Sequence, residues 1–160
     1  MNVASINELR NELSVLPDKE IRDLCLRLAR FKKENKELLS FLLFDSQDEE
    51  GYIENIKNYI DEEFSKIQKI NLYQAKKSVR KILRVTNKYI KFIGKSTSSL
   101  ELMIHFCFTF RNSGIPMKKS VALMNLYSSQ LKKIDKVMIE LHEDLQYDYR
   151  KRIAELSTNI

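Results

Sequence analysis

The segment from Leu72 to Gly94 reads LYQAKKSVRKILRVTNKYIKFIG, and its pattern is the strongest structural signal in the chain. At about 100° per residue of an α-helix, one set of its side chains falls between roughly 280° and 20°, with Leu72 at zero. This set consists of Leu72, Val79, Ile82, Leu83, Thr86, Ile90 and Ile93. Gly94 follows where a glycine commonly ends a helix. The segment therefore predicts an amphipathic helix over about 71–93.

The same segment places its positive charges opposite the apolar stripe. Residues 64–100 contain 10 basic and no acidic side chains. Seven of these cations fall between about 80° and 180° on the helical count. They are Lys77, Arg80, Lys81, Arg84, Lys88, Lys91 and Lys95. Because like charges at i,i+4 disfavour an isolated helix, we hypothesise that this row binds phosphate or nucleic acid.

The alternative interpretation of these cations is a solvated face without a ligand. The preceding segment is strongly acidic, with 8 acidic and 1 basic side chain in residues 45–63. If the two segments form a hairpin, some of its acids balance the cations. The acids predicted to lie on the preceding helix are Glu50, Glu54, Asp61, Glu62 and Glu63.

Three helices are predicted before this region. The first runs to about Val15 and begins with a capping box, in which Ser5 and Glu8 satisfy each other's backbone amides. The second covers about 18–32, after Pro17. The third covers about 35–44 and is expected to be mostly buried. The second helix carries an apolar stripe of Leu24, Leu28 and Phe31.

Three further helical segments are predicted around and after the basic one. Helix four, about 50–68, presents Ile53, Ile56, Ile60, Phe64 and Ile67 at helical spacing. A helix over about 99–112 is apolar on nearly every side and should be central, with a second capping box from Ser98 to Glu101. The segment 117–156 predicts one very long helix or two collinear ones, weakest at Ser128 and Ser129. Its stripe is Met117, Val121, Met124, Leu131, Ile134, Met138, Leu141 and Leu145.

Composition favours a single all-α domain over residues 1–160. The chain has only 3 glycines and 2 prolines, whereas sheet proteins need many tight turns. An irregular multi-helix bundle and a short HEAT-like stack of helical hairpins, with a long C-terminal helix, are both open. The N-terminus lacks the charged and apolar regions of a secretory signal, and the apolar runs are too short to span a bilayer. We therefore expect a soluble cytoplasmic protein without a membrane partner.

No complete catalytic or metal-binding motif is recognisable. The Gly94-Lys95-Ser96 tripeptide lacks the earlier glycine and the strand of a phosphate-binding loop. His142-Glu143 lacks the second histidine of a zinc-protease helix, since Gln146 occupies that position. We expect His105 and Cys107 to be structural and largely buried. The sequence predicts no catalytic residues, no metal and no cofactor, and hence no enzyme.

Helical nucleotide pyrophosphatases have about this size and depend on magnesium. They use a Glu-x-x-Glu followed by a Glu-x-x-Asp, which together hold the metal. Glu34 with Glu37, or Glu140 with Glu143, could supply the first pair. The only Glu-x-x-Asp, Glu20 to Asp23, precedes both, so the order is reversed. This activity is weakly supported.

Two segments, Leu26–Phe44 and Leu141–Tyr149, resemble parts of a bacterial family of all-helical proteins without an established activity. The resemblance implies a helical bundle or HEAT-like fold and supplies no function. From the residues, the sequence predicts a non-catalytic helical binding or scaffold protein. Its partner would be another protein or a second copy, and nucleic-acid binding through the helix at about 71–93 is the alternative.

Overall fold

The computed structural model describes residues 2–157, most of which are helical and none of which lies in a strand. The all-helical prediction is confirmed. The helices are α1 (Ile6–Val15), α2 (Asp18–Phe31), α3 (Lys33–Ser40), α4 (Glu49–Ser65), α5 (Leu72–Ile93), α6 (Ser96–Asn112), α7 (Val121–Ile139) and α8 (Glu143–Ser157). A π-helical turn (Phe41–Asp45) follows α3, and a short 3-10 turn (Met117–Lys119) precedes α7.

The chain divides into two compact units, one ending at Gln47 and one beginning at Asp48. The single domain expected over residues 1–160 stays a prediction, because a division in contacts does not decide whether the units fold together. That prediction also covers residues 1 and 158–160, which lie outside the described residues.

The first unit contains α1, α2 and α3. The capping box is confirmed: the Glu8 amide donates to Ser5 Oγ at 3.3 Å, and the Ser5 amide donates to Glu8 Oε2 at 2.6 Å. α2 and α3 pack together, and Asn35 Nδ2 donates to the Leu28 carbonyl at 2.9 Å. This hydrogen bond spans the break at Lys32, where the backbone is extended. The extended residue Lys32 therefore separates two short helices, and the hydrogen bond joins them across the break.

Burial in the first unit differs from the prediction. Phe41 is its only buried residue among residues 2–47. Leu42 and Leu43, which were expected inside, are more than half exposed, so the third helical segment is not mostly buried. Its boundaries differ as well, because α3 ends at Ser40 and the chain continues as a π turn. Helical periodicity identifies an apolar face, but only tertiary packing buries it.

The second unit contains α4 to α8 and the main core. Lys81 of α5 pairs with Glu63 of α4, and Lys95, just after α5, pairs with Glu49 at the start of α4. The later residue on the α5 side, Lys95, pairs with the earlier residue of α4, Glu49, so α4 and α5 are antiparallel. In α4 the predicted core positions Ile56, Ile60 and Phe64 are buried.

Helix α6 is the centre of this unit, as its apolar composition predicts. It contacts α4, α5, α7 and α8. Phe106 and Phe110 lie against Phe64 of α4, with ring centroids 5.5 and 5.6 Å away. Phe110 also contacts Tyr127 of α7 edge-on at 5.8 Å. Such aromatic contacts add to the free energy gained from burying apolar surface.

The second predicted capping box is wrong. α6 begins at Ser96, so Ser98 and Ser99 lie inside the helix and are buried. Ser98 Oγ donates to the Glu49 carboxylate, and Ser99 Oγ donates to the Lys95 carbonyl at 2.6 Å. A carboxylate from α4 thus lies beside the first turn of α6, where the helix dipole favours negative charge.

The C-terminal segment is two helices, and they are not collinear. Tyr127 near the middle of α7 donates a hydrogen bond from its hydroxyl to the Leu156 carbonyl in α8, at 3.1 Å. The chain must therefore reverse, and it does so at residues 140–142 rather than at Ser128 and Ser129. The buried positions of α7 agree only in part with the predicted stripe. Ile134 and Met138 are buried as predicted, but Val121 is exposed. The other buried residues of α7 are Leu123, Tyr127 and Gln130.

Within the described part of the chain, every helix is too short or too polar to cross a membrane.

Candidate nucleic-acid interface

Local signals fix both ends of α5. At the start, the Asn71 side chain accepts a hydrogen bond from the Gln74 amide at 3.1 Å, which satisfies one free donor of the first turn. At the end, Gly94 has a φ of 69°, a left-handed conformation that residues with a side chain rarely adopt. These boundaries agree with the prediction to one residue.

The inner face of α5 is buried against the core. Val79, Ile82 and Thr86 are nearly inaccessible, and Ala75 joins them. The Thr86 hydroxyl donates to the Ile82 carbonyl at 3.0 Å, so its polar atom needs no other partner. This packing fixes the rotation of the helix about its axis, and hence the direction of its opposite face.

The seven cations predicted on that face form what we call the basic ridge. It consists of Lys77, Arg80, Lys81, Arg84, Lys88, Lys91 and Lys95. Lys88 is half-buried, and the other six are exposed. From Lys77 to Lys95 the ridge extends about 27 Å, at about 1.5 Å per residue. The predicted exposure of this face is therefore confirmed at six of seven positions.

Two ridge cations are paired with carboxylates of α4. Lys81 Nζ lies 3.1 Å from Glu63 Oε2, and Lys95 pairs with Glu49. Hydrogen bonds from Lys66 and then Lys81 lower the pKa of Glu63. A lowered pKa in the folded state means that the pair stabilises above the ordinary pKa of 4.5 and is lost as the pH falls through the lowered value. At neutral pH both cations are partly neutralised.

The acids that pair with the ridge are not mainly those singled out in the sequence. Glu54 lies 3.7 Å from Lys57, and Asp61 accepts hydrogen bonds from α6. Glu63 was among the predicted candidates, whereas Glu49 lies just before the predicted start of helix four at about residue 50. The antiparallel register of α4 and α5 selects them, since it brings Glu63 opposite Lys81 and Glu49 opposite Lys95.

Four ridge cations have no carboxylate within 4.0 Å among residues 2–157. They are Lys77, Arg80, Arg84 and Lys91. Arg80 and Arg84 are one helical turn apart and form a like-charged i,i+4 pair, which costs a few tenths of a kcal/mol in a helix. These four cations thus have no compensating carboxylate within that distance in the part of the chain that the structure describes.

Aromatic rings lie beside the ridge at both ends. Lys77 Nζ is 4.6 Å from the centroid of the exposed Tyr73 ring, and Lys88 Nζ is 4.8 Å from that of Tyr89. A cation over a ring is attracted by the negative face of the ring. The Tyr73 ring is more than half exposed, so part of it remains accessible to a base.

An acidic groove bounds the ridge at its C-terminal end. Its volume is about 560 Å³. Glu49, Glu50, Glu54 and Glu101 line it, together with Lys57 and Lys95. Burial raises the pKa of Glu101, but hydrogen bonds from Lys57 and Arg152 outweigh burial and leave that pKa lowered. An anionic ligand on the ridge would therefore be repelled beyond Lys95, which sets one limit of the interface.

His105 and Cys107 have no arrangement that indicates catalysis. Cys107 is fully buried, and burial raises the pKa of its thiol to about 12. His105 is only half-buried, so its predicted burial is not complete. Its Nε2 lies 2.8 Å from Asp61 Oδ1, which also accepts a hydrogen bond from Thr109 Oγ1 at 2.8 Å.

In residues 2–157, no group of three or more acidic, histidine or cysteine side chains is arranged to hold a metal ion. Glu20, Asp23, Glu34 and Glu37 lie on α2 and α3, and Glu140 and Glu143 flank the turn between α7 and α8. The described residues thus assemble none of the carboxylate pairs considered for magnesium-dependent hydrolysis into a metal-binding cluster.

The structure places the seven cations of the basic ridge along one face of α5 and just after its end. No protein-family model, curated protein or solved structure matches this chain, so a functional assignment depends on the geometry of the ridge.

Proposed function

We propose that the protein is a non-catalytic helical scaffold that binds the phosphate backbone of nucleic acid through the basic ridge. The observation that carries the proposal is a set of four exposed cations with no carboxylate partner among residues 2–157: Lys77, Arg80, Arg84 and Lys91. Phosphate contacts from Lys and Arg supply most of the affinity in non-specific nucleic-acid binding.

The length of the ridge favours a polymer over a small anion. Its ends are about 27 Å apart, whereas duplex DNA carries one charge per about 1.7 Å of its axis. A single phosphate could contact only one or two of these cations, but a strand can contact several at once. The exposed Tyr73 ring adds a surface on which an unpaired base could stack.

Packing of the inner face argues against an anionic membrane as the ligand. A membrane-surface helix inserts its apolar side into the lipid, but Val79, Ile82 and Thr86 already lie in the core. Only charge attraction would remain.

We also propose a HEAT-like arrangement and a cytoplasmic location. The antiparallel hairpins of α4 with α5 and of α7 with α8 are the kind of unit that a HEAT-like stack repeats.

Charge reversal tests the proposal. Arg80→Glu with Arg84→Glu should abolish binding to a fluorescent 20-base DNA, single-stranded or duplex, in an anisotropy titration. Lys132→Glu with Lys133→Glu on α7 is the matched control, because both lysines are exposed and the net charge falls by the same four units from +6. Exposed charges contribute little to stability, so both variants should fold.

The control should bind within about twofold of the wild type if the ridge is the interface. Equal loss in both variants would mean that binding follows net charge alone, and equal affinity of the Arg80 and Arg84 variant and the wild type would end the proposal.

A further inference from the structure

Helix α2 exposes an apolar stripe with the spacing of a coiled-coil seam. Ile21, Leu24, Leu28 and Phe31 follow one another at intervals of three, four and three residues. This is the a and d pattern of two heptads. Leu28 is 61% exposed and Phe31 is 77% exposed, while Ile21 is half-buried. Large apolar side chains in a contiguous exposed row mark an interaction surface more often than scattered ones do.

The charges of α2 indicate what covers this stripe. Within α2, residues 25–31 contain two basic and no acidic side chains, whereas residues 18–24 contain three acidic and two basic ones. A parallel copy of the helix would set the two basic halves against each other. An antiparallel copy sets each basic half against the acidic half, which also opposes the two helix dipoles favourably.

We propose that α2 is a self-association surface, which pairs antiparallel with α2 of a second copy of this chain. Pairing about a two-fold axis near Leu26 would place Leu24 opposite Leu28 of the second copy, and Ile21 opposite Phe31. Every apolar residue of the seam then has an apolar partner. The acidic first turn, with Asp18 and Glu20, would lie near the end of the second helix that carries Arg30, and this approach occurs twice by symmetry.

The pair is reversible, because the paired surface is small. α2 has 14 residues and is about 21 Å long. Such a seam buries less than the roughly 800 Å² per partner of a standard stable interface. The dimer therefore forms in the micromolar range or above, and the measured mass rises with concentration from the monomer mass of 19.0 kDa toward twice that value.

Cys25 supplies a built-in probe of this geometry. It is exposed and follows Leu24 beside the stripe, so an antiparallel pair brings the two copies of Cys25 together close to the axis. Parallel pairing would put them on opposite sides of the seam. Cys107 is buried and does not compete for a cross-linker. A short bismaleimide should therefore give a dimer band in the wild type and none in Cys25→Ser.

The decisive comparison uses two leucines of one helix. Leu28→Glu places a charge in the seam, and Leu26→Glu places the same charge about 160° away on the helix, at a residue that is also exposed. We expect Leu28→Glu to reduce cross-linking and the dimer association constant by about tenfold or more, because the seam loses an apolar contact and would have to bury a charge. Leu26→Glu should behave as the wild type.

Sedimentation velocity over a concentration series provides the independent readout, with circular dichroism to verify that both variants keep their helices. A strict monomer for the wild type at about 500 μM would overturn the proposal, because interfaces of micromolar affinity are occupied there. Cross-linking that survives Leu28→Glu would overturn it as well. Neither result bears on nucleic-acid binding, which is measured on α5 of the other unit.

Discussion

Helices α2 and α5 are both amphipathic, yet they use their two faces in opposite ways. In α5 the apolar face is buried and the polar face carries cations of one sign, four of which have no described acidic partner. In α2 no residue is buried, and charges of both signs surround an exposed apolar stripe. The same helical pattern thus yields a core element in the second unit and an open surface in the first.

This difference indicates which face of each helix is expected to bind a partner. A helix whose apolar face is buried in the core can bind a ligand only through its polar face. In α5 that face is basic, so the expected ligand is an anion. A helix whose apolar face is unsatisfied gains most by covering that face, which in α2 means another apolar helix. The two proposals therefore concern different surfaces and different forces.

Thiol reactivity should show the largest contrast between the units. Cys25 in the first unit is exposed, whereas Cys107 in the second is buried with its pKa raised to about 12. The thiolate is the reactive species, so at neutral pH we expect maleimide to label one cysteine per folded chain and two after denaturation. Mass spectrometry of the labelled chain counts them. Rapid native labelling of Cys107 would contradict a closed core.

Truncating one aromatic residue in each unit should separate their stabilities. Phe110→Ala removes a fully buried ring that contacts Phe64, Phe106 and Tyr127, and we expect it to lower the free energy of unfolding by about 3–5 kcal/mol. Phe31→Ala removes a ring that is mostly exposed, and in dilute solution it should change that energy by less than about 0.5 kcal/mol. Urea titration followed by circular dichroism measures both. Similar losses would mean that Phe31 is buried in solution.

The helix breaks of the two units should respond differently to substitution. Gly94 has a φ of 69° and no atom within 4 Å of an added Cβ, so Gly94→Ala would meet backbone strain alone. We expect it to cost about 1–2 kcal/mol, the penalty for a left-handed residue with a side chain. The break after α2 is at Lys32, whose extended backbone tolerates any side chain, so Lys32→Ala should cost almost nothing. Thermal unfolding compares the two.

Releasing a ridge cation should produce the smallest effect. Glu63→Gln removes the carboxylate 3.1 Å from Lys81, and we expect nucleic-acid affinity to rise about two- to fivefold, since exposed ion pairs are worth up to about 1 kcal/mol. Glu62→Gln makes the same change in charge, but Glu62 pairs with Lys66, which is outside the ridge. Equal gains in both variants would show that net charge rather than Lys81 is responsible.

The sequence predicts the features that local patterns determine. The boundaries of α5, its capping residues Asn71 and Gly94 and the direction of its basic face all follow from spacing within one helix. The central position of α6 follows from its composition. These predictions agree with the structure because nothing distant in the chain is needed to determine them.

Features that depend on distant residues could not be predicted in the same way. α6 starts before the serines of its apparent capping box because Glu49 of α4 occupies the region of its first turn. The turn between α7 and α8 has neither glycine nor proline, and its signal is subtle: Glu143 and Asp144 supply the acidic first turn typical of a new helix. The exposure of α2 likewise depends on the absence of a covering element among residues 2–47.

The salt dependence of nucleic-acid binding shows most directly whether the basic ridge contacts phosphate. If Lys77, Arg80, Arg84 and Lys91 each neutralise one phosphate of duplex DNA, the logarithm of the affinity should fall against the logarithm of salt concentration with a slope of roughly −3.6, from about −0.9 per phosphate. Arg80→Gln with Arg84→Gln should halve the slope to about −1.8. Lys132→Gln with Lys133→Gln should leave it unchanged. A slope near zero for the wild type, or the same slope for all three proteins, would contradict binding through the ridge.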